Sequence, residues 1–431
     1  MYDLVVIGGG TAGLVCAAGA AGLGARVALV EKARLGGDCL NTGCVPSKAL
    51  LHAARERMDF ATAMRHVRAS RDAIAPHDSP ERLASLGVEV FFGHGTFADA
   101  RTVTVGDETL RFRKAVIATG SRPVVPAIPG LIDLPFLTSD TLWDLTTQPH
   151  TMTVLGGGPI GCELAQAFAR LGTRVTLIEA GPQLLAREDP DAAALVERAL
   201  AADGVTVRTG VTVSHARDLA ADAVLIAVGR QATVEGLGLD AAGIEVDGEG
   251  IRVDDRLRTT NRRVFAAGDV ASRYKFTHAA DALARIAIQN ALFFGRRSAR
   301  RLVIPWCTFT SPELAHVGTT SAEADARGAQ TITVPLADVD RAVADEATAG
   351  FVRLHHDAGR IVGATIVAPG AGELISTVAY AMRTGGTLAT LSTVVFPYPT
   401  LSLALRQAGD AYQRTKLTPA VRTLLKYYFR L

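Results

Sequence analysis

The stretch DLVVIGGGTAGLVCAAGAAGLGARVALVEK, Asp3 to Lys32, decides the fold. A short apolar run enters G-x-G-x-x-G at Gly8, Gly10 and Gly13. An Ala- and Leu-rich helix follows, then a second apolar strand that ends on Glu31. Each part has a physical role in holding a dinucleotide. The first glycine makes the tight turn, the second admits a pyrophosphate to the backbone, and the third lets helix and strand pack closely. The pyrophosphate then meets uncapped N–H groups at the positive end of the helix, and the terminal carboxylate takes ribose hydroxyls.

The same plan recurs at MTVLGGGPIGCELAQAFARLGTRVTLIEA, starting at Met152, with Gly156, Gly158, Gly161 and Glu179. In both copies the glutamate lies 23 residues beyond the first glycine. One glycine motif alone is weak, but two in full strand–turn–helix–strand–acid context imply two nucleotides, a flavin and a nicotinamide. Glu179 favours NADH over NADPH, because a carboxylate suits a free 2′-hydroxyl and repels a 2′-phosphate. From Ala180 to Ala186 no arginine or lysine stands ready for that phosphate.

Composition agrees with a large globular protein. The 431 residues allow about three domains, and 48% hydrophobic against 20% charged content excludes disorder. A balance of 45 basic and 43 acidic residues gives no electrostatic case for nucleic acid, and the run GRRSARR at 295–301 reads as a solvated loop. Five cysteines are too few for a secreted disulfide framework. The first residues enter a strand directly, which leaves no room for a signal peptide, and no apolar run reaches the ~20 residues of a membrane span. The expected location is the reducing cytoplasm.

In that setting GGDCLNTGCVPSKAL, Gly36 to Leu50, is informative. Positions i and i+5 of a regular helix lie roughly 8–9 Å apart, beyond the ~7 Å a disulfide tolerates. Cys39 is therefore expected just before, or in a distorted first turn of, the helix that carries Cys44. Gly36, Gly37 and Gly43 give the backbone that latitude. A structural disulfide is out of place in the cytoplasm, and a zinc site would need a second ligand pair. A dithiol that cycles fits best. Cys16, Cys162 and Cys307 sit in or beside apolar segments and read as small buried hydrophobes.

Taken in order, these motifs resemble the flavin-dependent pyridine-nucleotide disulfide oxidoreductases, the family of dihydrolipoamide dehydrogenase, glutathione reductase and mercuric reductase. Further matching pieces are AVIATGSRP (115–123), AVLIAVGR (223–230), TTNRRVFAAGDV (259–270) and IPWCTFTSPELAHVG (304–318). The resemblance implies an α/β fold, with two Rossmann-like dinucleotide-binding domains and a C-terminal α+β dimerisation domain. The implied boundaries are FAD domain 1–145, NAD domain 146–255, FAD domain resumed 256–304, and interface domain 305–431. It implies that Gly8, Gly10, Gly13, Glu31, Gly120 and Asp269 hold FAD, and that Gly156, Gly158, Gly161, Glu179 and Gly229 hold NADH. It assigns Cys44 to face the flavin, Cys39 to meet the acceptor, Lys48 to stand beside flavin N5 and Glu163 to pair with that lysine. A homodimer is implied as well.

The pattern breaks near the C-terminus. The family's disulfide-reducing members carry a His-Pro-Thr-x-x-Glu motif, whose His–Glu dyad moves protons to and from thiols. Here the stretch is FPYPTLSLALRQAGDAY, with Tyr398, a catalytic candidate alongside Cys39, Cys44, Lys48 and Glu163, at the histidine position and Leu403 at the glutamate position. No histidine follows His356. Tyrosine, ordinarily near pKa 10, is a poor base at neutral pH. Tyrosine after Phe-Pro is similar to mercuric reductase, yet LLKYYFRL holds none of that branch's tail cysteines, and the N-terminal metal-binding domain found in many of its members is not expected here. The expected acceptor is a metal ion, a quinone or a protein disulfide. A dihydrolipoamide dehydrogenase is the alternative within the class, and a redox-sensing flavoprotein is the alternative outside it.

Two smaller expectations follow. The short link between VTVRTGVTV and DAVLIAVGR predicts a trimmed hairpin. The tail LTPAVRTLLKYYFRL places Val421, Leu424, Leu425, Tyr428 and Leu431 on one helical face. Packing on the body or on a partner subunit is the expected role of that face, with a membrane-surface role as the lesser alternative.

Overall fold

The computed structural model describes residues 1–293 and 295–430; Leu431, placed above on the apolar face of the tail, lies outside them. The fold is mixed α/β. Two compact units form: Met1–Gly156 with Arg170–Arg174 and Val213–Leu302, and Gly157–Ala169 with Val175–Thr212 and Val303–Leu431.

In the first unit the strand Tyr2–Ile7 lies at the centre of a largely parallel sheet. It pairs with Val27–Glu31 on one side, Leu4 opposite Val27, and with Glu108–Ile117 on the other, Val5 opposite Ala115. Val88–Phe92 extends the sheet beyond Val27–Glu31, and Val264–Ala266 also pairs with Glu108–Ile117. Side chains alternate across the sheet. Leu4 and Val6 enter a core with Cys16, Ala17 and Ala20 of the helix Thr11–Gly22 and with Leu283, Ala284 and Ala287 of the helix Thr277–Leu292. Val5 and Ile7 enter a second core with Phe97, Val103, Leu110 and Phe112. Because both faces are covered, the strand reads as a continuous apolar run. Each fully buried Leu or Val contributes about 1.5–3 kcal/mol relative to exposure. A parallel trio also belongs to this unit, with Ala223–Ile226 lying against both Phe136–Thr138 and Thr151–Leu155.

The predicted hairpin after VTVRTGVTV is replaced by one turn of 3₁₀ helix, Ala216–Leu219, which buries Ala216 and Leu219. The amide of Ala216 bonds to Pro129 O rather than to a partner strand.

The second unit contains a five-stranded antiparallel sheet ordered Pro305–Thr308, Glu313–Gly318, Arg360–Ala368, Phe351–Asp357, Gln330–Pro335. Val317, Leu354 and Ile366 pack with Ile375 and Val378 of the helix Ala371–Thr384 and with Leu405 and Ala408 of the helix Leu403–Thr415. The parallel pair Arg174–Ile178 and Thr206–Arg208 meets with Leu177 opposite Val207.

A buried polar knot ties this unit together. Asp189 accepts from Ser321 Oγ (2.6 Å), Ser321 N (2.9 Å), Thr365 Oγ1 (3.2 Å) and Arg353 Nη1 (3.2 Å), and Arg353 also pairs with Asp191. Beside it, Glu188 is buried (7% exposed), and its Oε1 accepts from Trp306 Nε1 at 2.6 Å. Its Oε2 has no hydrogen-bond partner among the described residues. Burial pushes the Glu188 carboxyl up to about 7, and the Trp306 bond only partly offsets that. Between about pH 4.5 and 7 the folded protein therefore keeps a proton that the unfolded chain has released, so stability falls as pH rises through that window. The loss is at most about 3 kcal/mol. Glu188→Gln, which keeps an acceptor for Trp306, should melt a few degrees above the wild type at about pH 8 and no higher at about pH 5. Thermal unfolding at the two pH values checks this, and a gap that does not widen with pH contradicts it.

Candidate active site and nucleotide cradles

Cys39 and Cys44 come together in the first unit. Cys39 lies in its own short helical turn, Gly37–Asn41, and Cys44 is the first residue of the helix Cys44–Arg55. The expectation that Cys39 sits before the Cys44 helix is met, but as a separate helical turn. Three glycines make the break. Gly36 (φ +88°) and Gly37 (φ +55°) are left-handed, and Gly43 takes φ −120°, ψ −107°. The neighbouring Cys44 side chain, followed by burial, raises the Cys39 thiol above its ordinary range. Cys44 Sγ is also 3.2 Å from Thr277 Oγ1, on the helix Thr277–Leu292. Cys44 stands at the N-terminus of its helix, where the helix dipole favours a thiolate.

A set of residues passed over in the sequence links this turn to Asp269. Arg230 pairs with Asp38, the neighbour of Cys39, and donates to Ser121 Oγ (2.9 Å), Ser121 O (2.9 Å) and Ser139 Oγ (3.2 Å). Ser121 Oγ in turn donates to Asp269 Oδ2 at 2.7 Å. Crowding by the surrounding protein raises the Asp38 carboxyl, and the Arg230 guanidinium opposes that rise. About half of the Asp38 side chain (49%) remains in contact with solvent, so the ion pair is the stronger guide to its charged state. Asp38 was visible as an acid inside a glycine-rich turn, but nothing local announces a partner 192 residues away.

The two glycine motifs have the same atomic construction. In the first, Glu31 Oε2 accepts from Gly9 N (2.6 Å) and Oε1 from Ala33 N (2.7 Å). In the second, Glu179 Oε2 accepts from Gly157 N (2.7 Å) and Oε1 from Gly181 N (2.7 Å). Gly8 (φ +108°) and Gly156 (φ +112°) make the turns. A Cβ on Gly13 would lie 1.7 Å from Gly8 O, and one on Gly37 would lie 2.6 Å from Gly10 Cα. A Cβ on Gly158 would meet nothing within 4 Å, which leaves open space before that helix.

Of the other sequence candidates, Gly120 (φ +71°) and Gly229 (φ +130°) flank one antiparallel ribbon, with Ser121 opposite Ala232 and Pro123 opposite Arg230. Lys48 follows Cys44 by one helical turn, and its Nζ donates to Ser47 Oγ at 3.3 Å. In the second unit Glu163 is buried and its Oε1 accepts from Phe309 N at 2.9 Å. Gln166, one turn further on, grips Ser311 through both amide atoms (2.7 and 3.0 Å). Tyr398 is exposed, and its hydroxyl donates to Asp340 Oδ2 at 2.9 Å. That bond and the Asp340 charge raise the phenol further above its ordinary value. Cys16 and Cys162 are fully buried, and burial pushes the Cys16 thiol up to about 12, so neither is poised as a nucleophile.

The first cradle fits FAD. The helix Thr11–Gly22 begins at Gly10 without a side-chain cap, which leaves its first amides for a phosphate. Glu31 closes the end of the second strand against this turn, where it would meet a ribose, and Asp269 follows Gly268 (φ +84°). Gly13→Ala should cost the enzyme its flavin, because the methyl cannot coexist with Gly8 O. The flavin-to-protein absorbance ratio of purified protein should drop at least tenfold; a ratio equal to that of the wild type contradicts the cradle.

Comparison with known proteins agrees with this construction. Residues 2–284 match the model of the pyridine nucleotide-disulphide oxidoreductases, and residues 304–408 match that family's dimerisation domain, which supports a homodimer. A mercuric reductase of Streptomyces lividans is 35% identical over 95% of this chain and 96% of its own length. A dihydrolipoyl dehydrogenase of Thermus scotoductus is 34% identical over 96% of this chain and 98% of its own. Among solved structures, the HOCl-induced flavoprotein disulfide reductase RclA from Escherichia coli superposes with TM-score 0.89 at 32% identity, covering 95% of this chain and 99% of that one. It has also been solved as a Cu(II) complex. The chain belongs to the pyridine nucleotide-disulphide oxidoreductase family, and is an FAD- and pyridine-nucleotide-dependent flavoprotein disulfide oxidoreductase.

Proposed function

We propose that this enzyme takes electrons from NADH, stores them as the Cys39–Cys44 dithiol, and delivers them to an acceptor that needs little help from a proton shuttle. The observation that carries the proposal is the placement of Cys39 in its own helical turn beside Cys44, the first residue of the next helix. FAD, when bound, accepts a hydride from the nicotinamide and supplies two electrons to the disulfide. The protein's part is to hold the thiols. Opening the S–S bond takes up the two electrons of the hydride and, with the proton that came with them, leaves one thiol and one thiolate; the helix N-terminus favours the thiolate at Cys44. Lys48 and Glu163 are assigned to the flavin side, and Cys39 to the acceptor side. The nucleotide glycines, Glu31, Asp269 and Glu179 keep the roles the resemblance gives them, as do Gly120 and Gly229. The functional partition remains 1–145, 146–255, 256–304 and 305–431, and the expected location is the cytoplasm.

Tyr398 supports the choice of acceptor. Its phenol donates to Asp340, which raises it further above its ordinary value and makes it a poorer base than the histidine a thiol-exchanging enzyme uses. General acid–base help is worth ~10²–10⁴-fold, so turnover of small disulfides such as lipoamide should be slow. A metal ion, a quinone or the disulfide of a partner protein remains as acceptor; the Cu(II) complex of RclA favours the first. For the donor, the Glu179 carboxylate is fixed by two backbone donors, where it would take the ribose hydroxyls of NADH and repel a 2′-phosphate.

Anaerobic stopped-flow reduction tests both points. NADH should produce a long-wavelength charge-transfer absorption within the turnover time, and NADPH should do so at least tenfold more slowly. Cys44→Ser should abolish the band while the bound flavin is retained. A band that survives in that variant removes Cys44 from the flavin side.

A further inference from the structure

We propose that the C-terminal helix Pro419–Tyr428 is a docking surface for an anionic phospholipid bilayer, and that it lies in the plane of the interface. The helix is well delimited: Thr418 caps it by accepting from Val421 N at 3.3 Å, and Pro419 opens its first turn. Yet among the described residues its apolar side chains stay largely uncovered; even Leu425 and Val421 are 37% and 38% exposed. Every residue from Arg414 to Arg430 is exposed, including Leu424 (66%), Tyr427 (67%), Tyr428 (67%) and Phe429 (77%). A globular chain does not usually leave a formed helix with so much apolar side chain in water.

The distribution of charge selects the occupant. From Ala411 onward the sequence has Arg414, Lys416, Arg422, Lys426 and Arg430, and no Asp or Glu. At about 100° per residue, Arg422, Lys426 and Arg430 form one continuous row at i, i+4 and i+8. Val421, Leu424, Leu425 and Tyr428 fill the opposite arc, and Tyr427 and Phe429 flank it. A second copy of this chain would cover the apolar arc but gives no reason for a purely basic row beside it. Nucleic acid would answer the row and leave the arc wet. Anionic lipid answers both, because headgroups meet the basic row, the apolar arc enters the acyl boundary, and tyrosines settle at headgroup depth. At roughly 15 Å the helix is too short to cross a bilayer, and among the described residues no helix of the chain is long and apolar enough to do so. The proposal does not depend on the identity of the electron acceptor.

Co-sedimentation of the full-length holoenzyme with vesicles tests it. Vesicles of phosphatidylcholine with phosphatidylglycerol should carry the enzyme down, pure phosphatidylcholine vesicles should bind at least tenfold more weakly, and raising salt from about 0.1 to 0.5 M should release it. R422E/K426E should reduce partitioning into the anionic vesicles at least tenfold. L424S/L425S should do the same without altering the native mass of the enzyme. Equal partitioning into both vesicle types, no partitioning, or partitioning indifferent to R422E/K426E overturns the proposal. Absence of vesicle binding together with dissociation of the native assembly in L424S/L425S also overturns it, and gives the face to a second copy.

Discussion

In each glycine motif one carboxylate holds two backbone amides on either side of the nucleotide turn, and the rest of the site depends on that clamp. Glu31 closes on Gly9 and Ala33; Glu179 closes on Gly157 and Gly181, with all four bonds between 2.6 and 2.7 Å. Bonds to an ionised acceptor of this length are among the stronger ones a protein makes. They fix the end of the second strand against the first turn, which sets where a ribose can meet the carboxylate and where a phosphate can meet the helix. The same clamp appears twice because the same sequence plan appears twice.

From that fixed frame the redox turn gains its geometry. Gly37 lies so close to Gly10 that a side chain on either would collide or fill the gap, so the loop bearing Cys39 lies directly against the first cradle. Arg230 then secures the same loop from the other side through Asp38, and passes through Ser121 to Asp269. The cysteine pair is therefore held by contacts that also build the flavin cradle. A change in either should be felt in both, so the proposed relay and its cofactor would share one support.

Much of this was legible in the sequence, and the reasons are local. Glycine spacing, strand periodicity and the terminal glutamate are short-range signals, and the repeat doubled their weight. The cysteine spacing by itself required a break in the helix, which glycines supplied. Long-range pairings were not legible. Nothing near Asp38 foretells Arg230, and nothing in REDPD foretells that Glu188 would be buried beside Trp306 with one oxygen unpartnered. The hairpin expected after VTVRTGVTV failed because a backbone carbonyl at Pro129 takes the amide that a partner strand would have used. The tail's periodicity correctly gave a helix, but periodicity says only that a face exists, not what covers it.

The proposed relay through Cys39 and Cys44 is the centre of the account, and counting alkylated thiols tests it most directly. Holoenzyme treated anaerobically with NADH and then with iodoacetamide, unfolded and digested, should carry two new carbamidomethyl groups, on Cys39 and Cys44. Without NADH the same two residues should be recovered as one linked peptide. Recovery of that linked peptide unchanged after NADH has bleached the flavin would contradict the relay.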